Sequence, residues 1–298
     1  MSAHTFRRPT TRFRLLTLIP LALVALVSVS GCGGLPKTAE ENAAEDQQSK
    51  YAQTLRMAEN IGRNGDPAAA RMFYERAAAM QPNELDPQIG LAQAAAVAGD
   101  YAQSAQAFRK AIALAPGRAD LVYGYARSSL MVGDTTHAIE QFDRYIASNP
   151  DDPRGYIGLG IAQDISGAHS AAQTAYLDGL QAAPDNMALR NNLALSLALS
   201  NQSDDAVGIL RELAQEPAAA TRVRQTLALV YAISGRMDAA ADLVRQTMSS
   251  AEARSSLAFL RSLQGLRGSA LAEAALFGRV NRALSMAPDK TDTMFGAK

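Results

Sequence analysis

Apolar residues recur every three to four positions in paired segments along the middle of this chain, and the pairs repeat at an interval of 34 residues. Such spacing is typical of amphipathic helices. One pair lies between Pro153 and Asn186, where a first apolar segment ends at Gly167 and a second ends at Pro184. The pattern predicts a helix, a turn, a second helix and a stop.

Steps of 34 residues from Gly167 reach residues that suit a left-handed turn. These are Gly65, Gly99, Gly133, Asn201 and Gly235. Glycine adopts the left-handed conformation freely, and asparagine tolerates it better than most residues, so the exception obeys the same physical rule. We therefore expect each of these positions to end the first helix of a pair.

Prolines mark the end of each second helix, because proline has no amide hydrogen and disfavours a helical conformation in the residue before it. They are Pro82, Pro116, Pro150 and Pro184, with Pro217 one residue early in the fifth copy. The remaining glycines are interpreted as turn residues as well.

Small and bulky residues also recur at the same interval. The small positions are Ala58, Ala92, Ala126, Gly160, Ala194 and Ala228 in the first helices, and Ala70, Ser104, Ala138, Ala172, Ala206 and Ala240 in the second. Four residues further along the second helices lie Tyr74, Phe108, Phe142, Tyr176, Leu210 and Val244. Small residues allow close helix packing, and bulky ones four residues away fill the space on the same face.

This period and residue pattern resembles the tetratricopeptide repeat (TPR) family, whose unit is a helical hairpin of 34 residues. The resemblance covers roughly residues 51–252. It implies an all-α fold: a TPR solenoid of about six helix-turn-helix repeats with C-terminal capping helices. We assign residues 49–252 to this array.

Residues 1–31 are predicted to be an export signal, because a basic start is followed by an apolar run from Leu15 to Val29 and then by small residues. The apolar run is interrupted and short for a membrane span, which disfavours an uncleaved anchor helix. Arg7-Arg8 is a twin-arginine pair, but the following Pro-Thr-Thr lacks the apolar residues expected of that signal class.

The signal ends in Val29-Ser30-Gly31-Cys32, which resembles the bacterial lipobox. Cys32 is the only cysteine of the chain, so it has no disulfide partner and no metal-ligand set around it. The alternative is a cleaved signal followed by an incidental thiol. The resemblance implies that Cys32 carries a covalent lipid, and no other cofactor is expected.

Gly33 follows the cysteine, and by analogy with enterobacterial sorting this residue leaves a lipoprotein free to reach the outer membrane. We therefore expect a lipid-anchored protein of the outer membrane that faces the periplasm. Residues 32–48 are small, polar and acidic and are predicted to form a flexible tether. Removal of four arginines with the signal would leave 25 basic against 29 acidic residues, a charge that gives no indication of nucleic-acid binding.

Beyond the repeats, residues 253–263 and 269–286 are predicted to be helical, with Gly265 and Gly268 between them. The end of a solenoid needs a cover for its apolar face, and residues 253–286 are assigned that capping role. Residues 287–298 are predicted to be disordered.

The sequence contains no pattern typical of a catalytic or metal site, and we expect no enzymatic activity. His137 and His169 are predicted to lie exposed near the starts of second helices, while His4 lies in the signal. The acidic pairs Asp151-Asp152 and Asp204-Asp205 are interpreted as helix-start residues, because acids favour the positive end of a helix.

In the family that the repeats resemble, fixed positions of each first helix line a concave groove that binds peptides. At these positions the third repeat has Tyr123, Arg127, Leu130 and Met131, the fourth has Arg154, Ile157, Ile161, Asp164 and Ile165, and the fifth has Asn191, Leu195 and Leu199. Tyrosine and arginine are enriched where binding energy concentrates, and asparagine can pair with an extended backbone. The candidate partner-binding residues are Tyr123, Arg127, Arg154, Ile157, Ile161, Asn191 and Leu195. They could alternatively form a solvated face or contact the chain's own C-terminal helices.

Residues 256–266, Ser-Leu-Ala-Phe-Leu-Arg-Ser-Leu-Gln-Gly-Leu, together with the lipobox and the six repeats, resemble the TadD lipoproteins of the tight-adherence (Tad, or Flp) pilus machinery. The resemblance implies a scaffold in pilus assembly or secretion, with the outer-membrane secretin as a candidate partner. A type IV pilus pilotin-like protein and a TPR adaptor that docks a periplasmic hydrolase are the alternatives.

Overall fold

The computed structural model describes residues 38–216 and 220–278. These residues form fourteen α-helices and no β-strand. Contacts divide the chain into a unit of residues 1–44 and a unit of residues 45–298. The predicted signal, Cys32 and the predicted tail at 287–298 lie outside the described residues. None of the helices described is long and apolar enough to span a bilayer.

The helices follow one another in chain order. They are α1 (Ala39–Arg63), α2 (Pro67–Met80), α3 (Leu85–Val97), α4 (Tyr101–Leu114), α5 (Ala119–Met131), α6 (Thr135–Ser148), α7 (Pro153–Ile165), α8 (His169–Ala182), α9 (Met187–Leu199), α10 (Ser203–Leu213), α11 (Ala220–Ile233), α12 (Met237–Thr247), α13 (Ser250–Ser262) and α14 (Gly268–Phe277). Odd-numbered helices up to α11 are the first helices of the six repeats, and even-numbered helices up to α12 are the second.

The predicted turns are confirmed by the backbone. The turn residues have φ values of +83° (Gly65), +82° (Gly99), +87° (Gly133), +87° (Gly167), +65° (Asn201) and +78° (Gly235). Asn201 is the only non-glycine residue with positive φ in the part of the chain that the structure describes. The second helices α2, α4, α6 and α8 each end two residues before their proline, as predicted.

Aspartates that directly follow the turn glycines start three of the second helices. Asp66, Asp100 and Asp134 each accept a hydrogen bond from the backbone amide three residues later, at 2.9, 3.1 and 3.2 Å. Such a cap satisfies one of the free amides at a helix start and contributes about 1 kcal/mol. The turn and the next helix start are therefore encoded together in the Gly-Asp pairs.

The repeated small and bulky positions form the core. Ala92, Ala126, Ala138 and Ala172 are fully buried, and so are the rings of Phe142 and Tyr176, whereas the first bulky residue, Tyr74, is half-buried.

Gly158 corrects the interpretation that the remaining glycines lie in turns, whereas Gly160 confirms its predicted place among the small residues of the first helices. A Cβ at Gly158 would overlap the ring of Phe142, and one at Gly160 would overlap the ring of Tyr176. Both glycines lie within α7, which is therefore sandwiched between aromatic rings of α6 and α8. Their small size is needed for close approach rather than for a turn.

The predicted flexible tether is wrong from residue 39 onward, because α1 begins at Ala39. Thr38 and Glu41 form a reciprocal cap, in which the Glu41 amide donates to Thr38 Oγ1 at 3.2 Å and the Thr38 amide donates to the Glu41 carboxylate at 2.7 Å. Further along, Lys50 pairs with Asp46 at 2.6 Å. Alanine, glutamate and glutamine are good helix formers, so low hydrophobicity did not imply an unfolded segment.

The C-terminal helices differ from the predicted pair of end caps. Helix α13 packs against α12 and α11, as expected of a cover for the last repeat, but α14 packs against α7 of the fourth repeat. Two left-handed residues, Gly265 and Gly268, lie at this change of direction. Helix α14 ends at Phe277, so the rest of its predicted extent, to Met286, lies outside the described residues.

Candidate partner-binding groove

The first helices form the inner layer of the repeat array. Each first helix from α3 to α11 packs against the next first helix, whereas no second helix in the described ranges packs comparably against the next one. Closer spacing on one side of a stacked array curves it toward that side. The first helices therefore line a concave surface, which we call the inner groove.

Helix α14 lies against α7 on this inner layer. Its buried residues are Ala272, Ala274, Ala275 and Leu276, and they belong to one hydrophobic core with Ile157, Ile161 and Leu195. In this structure a helix of the same chain thus occupies the inner groove at α7.

Most of the predicted partner-binding residues are buried. Ile157 and Ile161 have no exposed surface, Leu195 is 4% exposed, and Asn191 and Tyr123 are nearly buried as well. The Asn191 side-chain oxygen has no hydrogen-bond partner among the described residues. Burial contradicts the prediction of a surface that a partner can reach, and for Ile157 and Ile161 of α7 it agrees with the alternative of contact with the chain's own C-terminal helices.

Two of the predicted residues, Arg127 and Arg154, place their guanidinium groups near the ring of a third predicted residue, Tyr123. Their guanidinium carbons lie 5.9 and 5.1 Å from the centre of the Tyr123 ring. Cations at this distance from an aromatic face are attracted to it. Burial raises the pKa of Tyr123 well above its ordinary value, so the ring stays neutral. Both arginines therefore lie beside one aromatic ring, and their role in partner binding stays a prediction.

The charge of Arg154 is already paired within the chain. Its Nη2 donates to Asp152 at 2.6 Å and to the Tyr145 hydroxyl at 3.0 Å. Burial acts to raise the pKa of Asp152, but hydrogen bonds from Arg154 and Tyr145 outweigh it and hold that pKa below its usual value. Asp152 also caps α7 by accepting from the Arg154 amide at 2.9 Å, as the helix-start interpretation expected.

Asp164 is a buried carboxylate that joins three helices. It accepts hydrogen bonds from Tyr176 Oη at 3.1 Å and Ser196 Oγ at 2.7 Å, and it lies 2.8 Å from His169 Nδ1. Burial raises the pKa of Asp164, although these three partners partly oppose the shift. Two predictions are corrected here: Asp164 does not line the groove, and His169 is only 19% exposed rather than solvated. His137, by contrast, is exposed as predicted.

The groove is open in the first two repeats. In α3, Ile89 is half-buried, Gln93 is exposed and Val97 is 67% exposed. These residues hold the same repeat positions as Ile157, Ile161 and Ile165 of α7. Sequence reasoning considered the groove only in repeats three to five and missed this section, although the same count of repeat positions identifies it.

Two models of the tetratricopeptide repeat family match the chain, one over residues 55–119 and one over residues 96–157. A tetratricopeptide repeat protein from Parabacteroides merdae is similar in structure, with a TM-score of 0.62 and 15% identity over 72% of this chain and 85% of that one. This chain has the tetratricopeptide repeat fold.

Two further solved TPR structures are similar. YrrB, a TPR protein with an unusual peptide-binding site, has a TM-score of 0.50 and 16% identity over 63% of this chain and 98% of its own. PilF of Pseudomonas aeruginosa has a TM-score of 0.50 and 15% identity over 72% of this chain and 99% of its own. A search of curated proteins finds no match.

TPR arrays generally bind other proteins and are typically scaffolds rather than enzymes. Within the described residues, no group of His, Cys, Asp or Glu side chains could hold a metal ion. The chemistry of the inner groove is apolar with a few arginines and amides, which suits recognition of a polypeptide.

Proposed function

We propose that this TPR protein is a lipid-anchored scaffold of the outer membrane that faces the periplasm and serves Tad (Flp) pilus assembly or secretion. The observation that carries the scaffold role is the open inner groove of the first two repeats, with Ile89 and Val97 accessible to a partner. The sequence Val29–Cys32 supports the anchor, and the sequence at residues 256–266 supports the Tad system.

The anchor would act through Cys32. Each buried methylene of an acyl chain contributes about 0.8 kcal/mol to membrane binding, and a second chain converts marginal attachment into stable anchoring. A diacylglyceryl group on this one residue would hold the array at the bilayer without a membrane-spanning helix. Growth of the host with a labelled fatty acid tests this step. The label should be incorporated into the wild-type protein and not into Cys32→Ser. Incorporation into Cys32→Ser would contradict lipid attachment at Cys32.

The partner would be a protein of the Tad machinery, with the outer-membrane secretin as the first candidate. Exposed apolar residues beside polar ones, such as Val97 beside Gln93, suit a polypeptide that offers apolar side chains and backbone groups. The protein's nearly balanced charge provides no attraction for nucleic acid.

Site-specific photo-cross-linking in the native host tests this partner. A photoreactive amino acid replaces Val97 in the open groove, and a matched control replaces Leu177, which is exposed on α8 of the outer layer. We expect a Tad component to be captured from position 97 and not from position 177. Equal capture from both positions would contradict a groove-mediated interaction.

The identity of the captured protein separates the alternatives. The Tad secretin or another Tad component would support the proposed role, whereas the secretin of a separate type IV pilus system would indicate a pilotin-like role. A periplasmic hydrolase would indicate a docking adaptor. Neither alternative changes the anchor or the repeats, so the fatty-acid experiment does not distinguish them.

A further inference from the structure

Helix α14 has the composition of a ligand rather than of a repeat helix. Its ten residues, Gly-Ser-Ala-Leu-Ala-Glu-Ala-Ala-Leu-Phe, include two polar side chains. Ser269 is exposed, and the Glu273 carboxylate has no hydrogen bond or ion pair with the described residues. Apolar contacts of small side chains, chiefly Ala272 and Ala275, therefore hold these residues in the groove.

The connection to α14 is short and of unusual conformation. Helix α13 ends at Ser262 and α14 begins at Gly268, with φ values of +93° at Gly265 and +55° at Gly268. A tether of this length holds α14 at a high effective concentration near the groove, in the millimolar range for short flexible linkers. Weak apolar contacts are then sufficient to keep the groove filled.

The surface under α14 has the features of a helix-binding groove. Helix α14 packs against α7, and Ile157 and Ile161 of α7 belong to the same hydrophobic core as the alanines of α14. Alanines on the docked face let the backbone of an incoming helix approach closely, which favours a helix with small residues on one side. Without an occupant, these side chains would form an exposed apolar patch, which marks an interaction site on a soluble surface.

We propose that the inner groove at α7, in the fourth repeat, is a second binding site, specific for a short helix rich in alanine and leucine, and that α14 occupies it as an internal competitor. A partner helix of the same chemistry displaces α14. This inference deepens the proposed function, since it assumes a protein partner, but it concerns a different section of the groove from Val97.

The probe is a fluorescently labelled synthetic peptide with the sequence of residues 267–278, titrated into the full-length protein purified in detergent. Ala272→Glu places a carboxylate on the fully buried face of α14, and Ala270→Glu makes the same change on its exposed face. Because only the first change empties the groove, we expect the peptide to bind Ala272→Glu at least tenfold more tightly than the wild type. Ala270→Glu should behave as the wild type.

A second variant locates the peptide. Ile161→Glu, added to Ala272→Glu, should abolish binding, because it charges the floor of the groove. Equal peptide affinity of wild type and Ala272→Glu would overturn the proposal. So would a loss of helicity in Ala272→Glu larger than ten residues account for, because α14 would then be an integral part of the repeat core. Cross-linking from position 97 reports on the proposed function independently of either result.

Discussion

The inner groove has two sections that are built from the same repeat positions but differ in exposure. Val97 and Ile165 hold the same position in repeats two and four, yet Val97 is 67% exposed and Ile165 is 4% exposed. Gln93 and Ile161 show the same contrast. The difference coincides with helix α14, which packs against α7 of the fourth repeat. A residue's position within a repeat therefore fixes the direction of its side chain but not its exposure.

The two sections also differ in how neighbouring repeats are joined by polar groups. The section at α7, which α14 covers, is called the covered section, and the section at α3 is called the open section. In the covered section, Asp164 connects α7, α8 and α9 through Tyr176, Ser196 and His169. In the open section the corresponding connection is neutral: the hydroxyls of Ser104 and Ser128 lie 2.8 Å apart, and Ser104 donates to the Ala92 carbonyl. The covered section thus has a buried carboxyl group at this connection, where the open section has hydroxyl groups.

The largest expected effect comes from placing a charge in each section. Ile161→Glu places a carboxylate without a partner under α14 and should lower the free energy of unfolding by about 2–3 kcal/mol, because undocking of α14 limits the cost of burying the charge. Gln93→Glu introduces a glutamate at the equivalent position of the open section. It should change the free energy of unfolding by no more than about 0.5 kcal/mol. Urea denaturation of both variants measures the difference. Similar losses would show that the two sections do not differ in burial.

Substitutions of the turn glycines serve as a control for the comparison of the two sections, because both sections have the same turns between their helices. Gly99→Val and Gly167→Val should each cost about 1–2 kcal/mol, since a β-branched residue resists a positive φ. Asn201→Gly should cost less, because glycine adopts this conformation freely. Thermal melting of the three variants tests the order. A harmless Gly167→Val would mean that this turn does not require the left-handed conformation.

These turns are what the sequence predicts best. A helix stop depends on one residue and its immediate neighbours, so the spacing of Gly99, Gly167 and Asn201 was sufficient to place it. Gly158 was misassigned, because its role depends on Phe142 in the preceding helix. The covered groove was not predictable from Ile165, since the apolar residue Val97 at the same position is exposed. Its burial depends on a helix about 100 residues away, and no local pattern encodes that contact.

The smallest expected effect is a pH dependence specific to the covered section. The raised pKa of Asp164 means that the folded protein binds this proton more tightly than the unfolded chain does. Its contribution to stability is therefore full below the ordinary aspartate pKa of about 4 and is lost as pH rises through the raised value. Asp164→Asn removes this dependence.

Parallel denaturation curves of the wild type and Asp164→Asn at several pH values measure this pH dependence of stability. The stability of the wild type relative to the variant should fall as pH rises. A constant difference between the two would contradict a perturbed carboxyl at this position. His169 lies beside the carboxyl, so His169→Gln in the same background separates its contribution.

The central claim is that α14 alone makes the difference between the two sections, and thiol labelling tests it most directly. In a Cys32→Ser background, Val97→Cys and Ile165→Cys are each combined with wild-type α14 or with Ala272→Glu, and the rate of maleimide modification is measured. We predict fast labelling at position 97 in both cases. At position 165 we predict slow labelling that Ala272→Glu accelerates at least tenfold. An unchanged rate at position 165 would contradict the account.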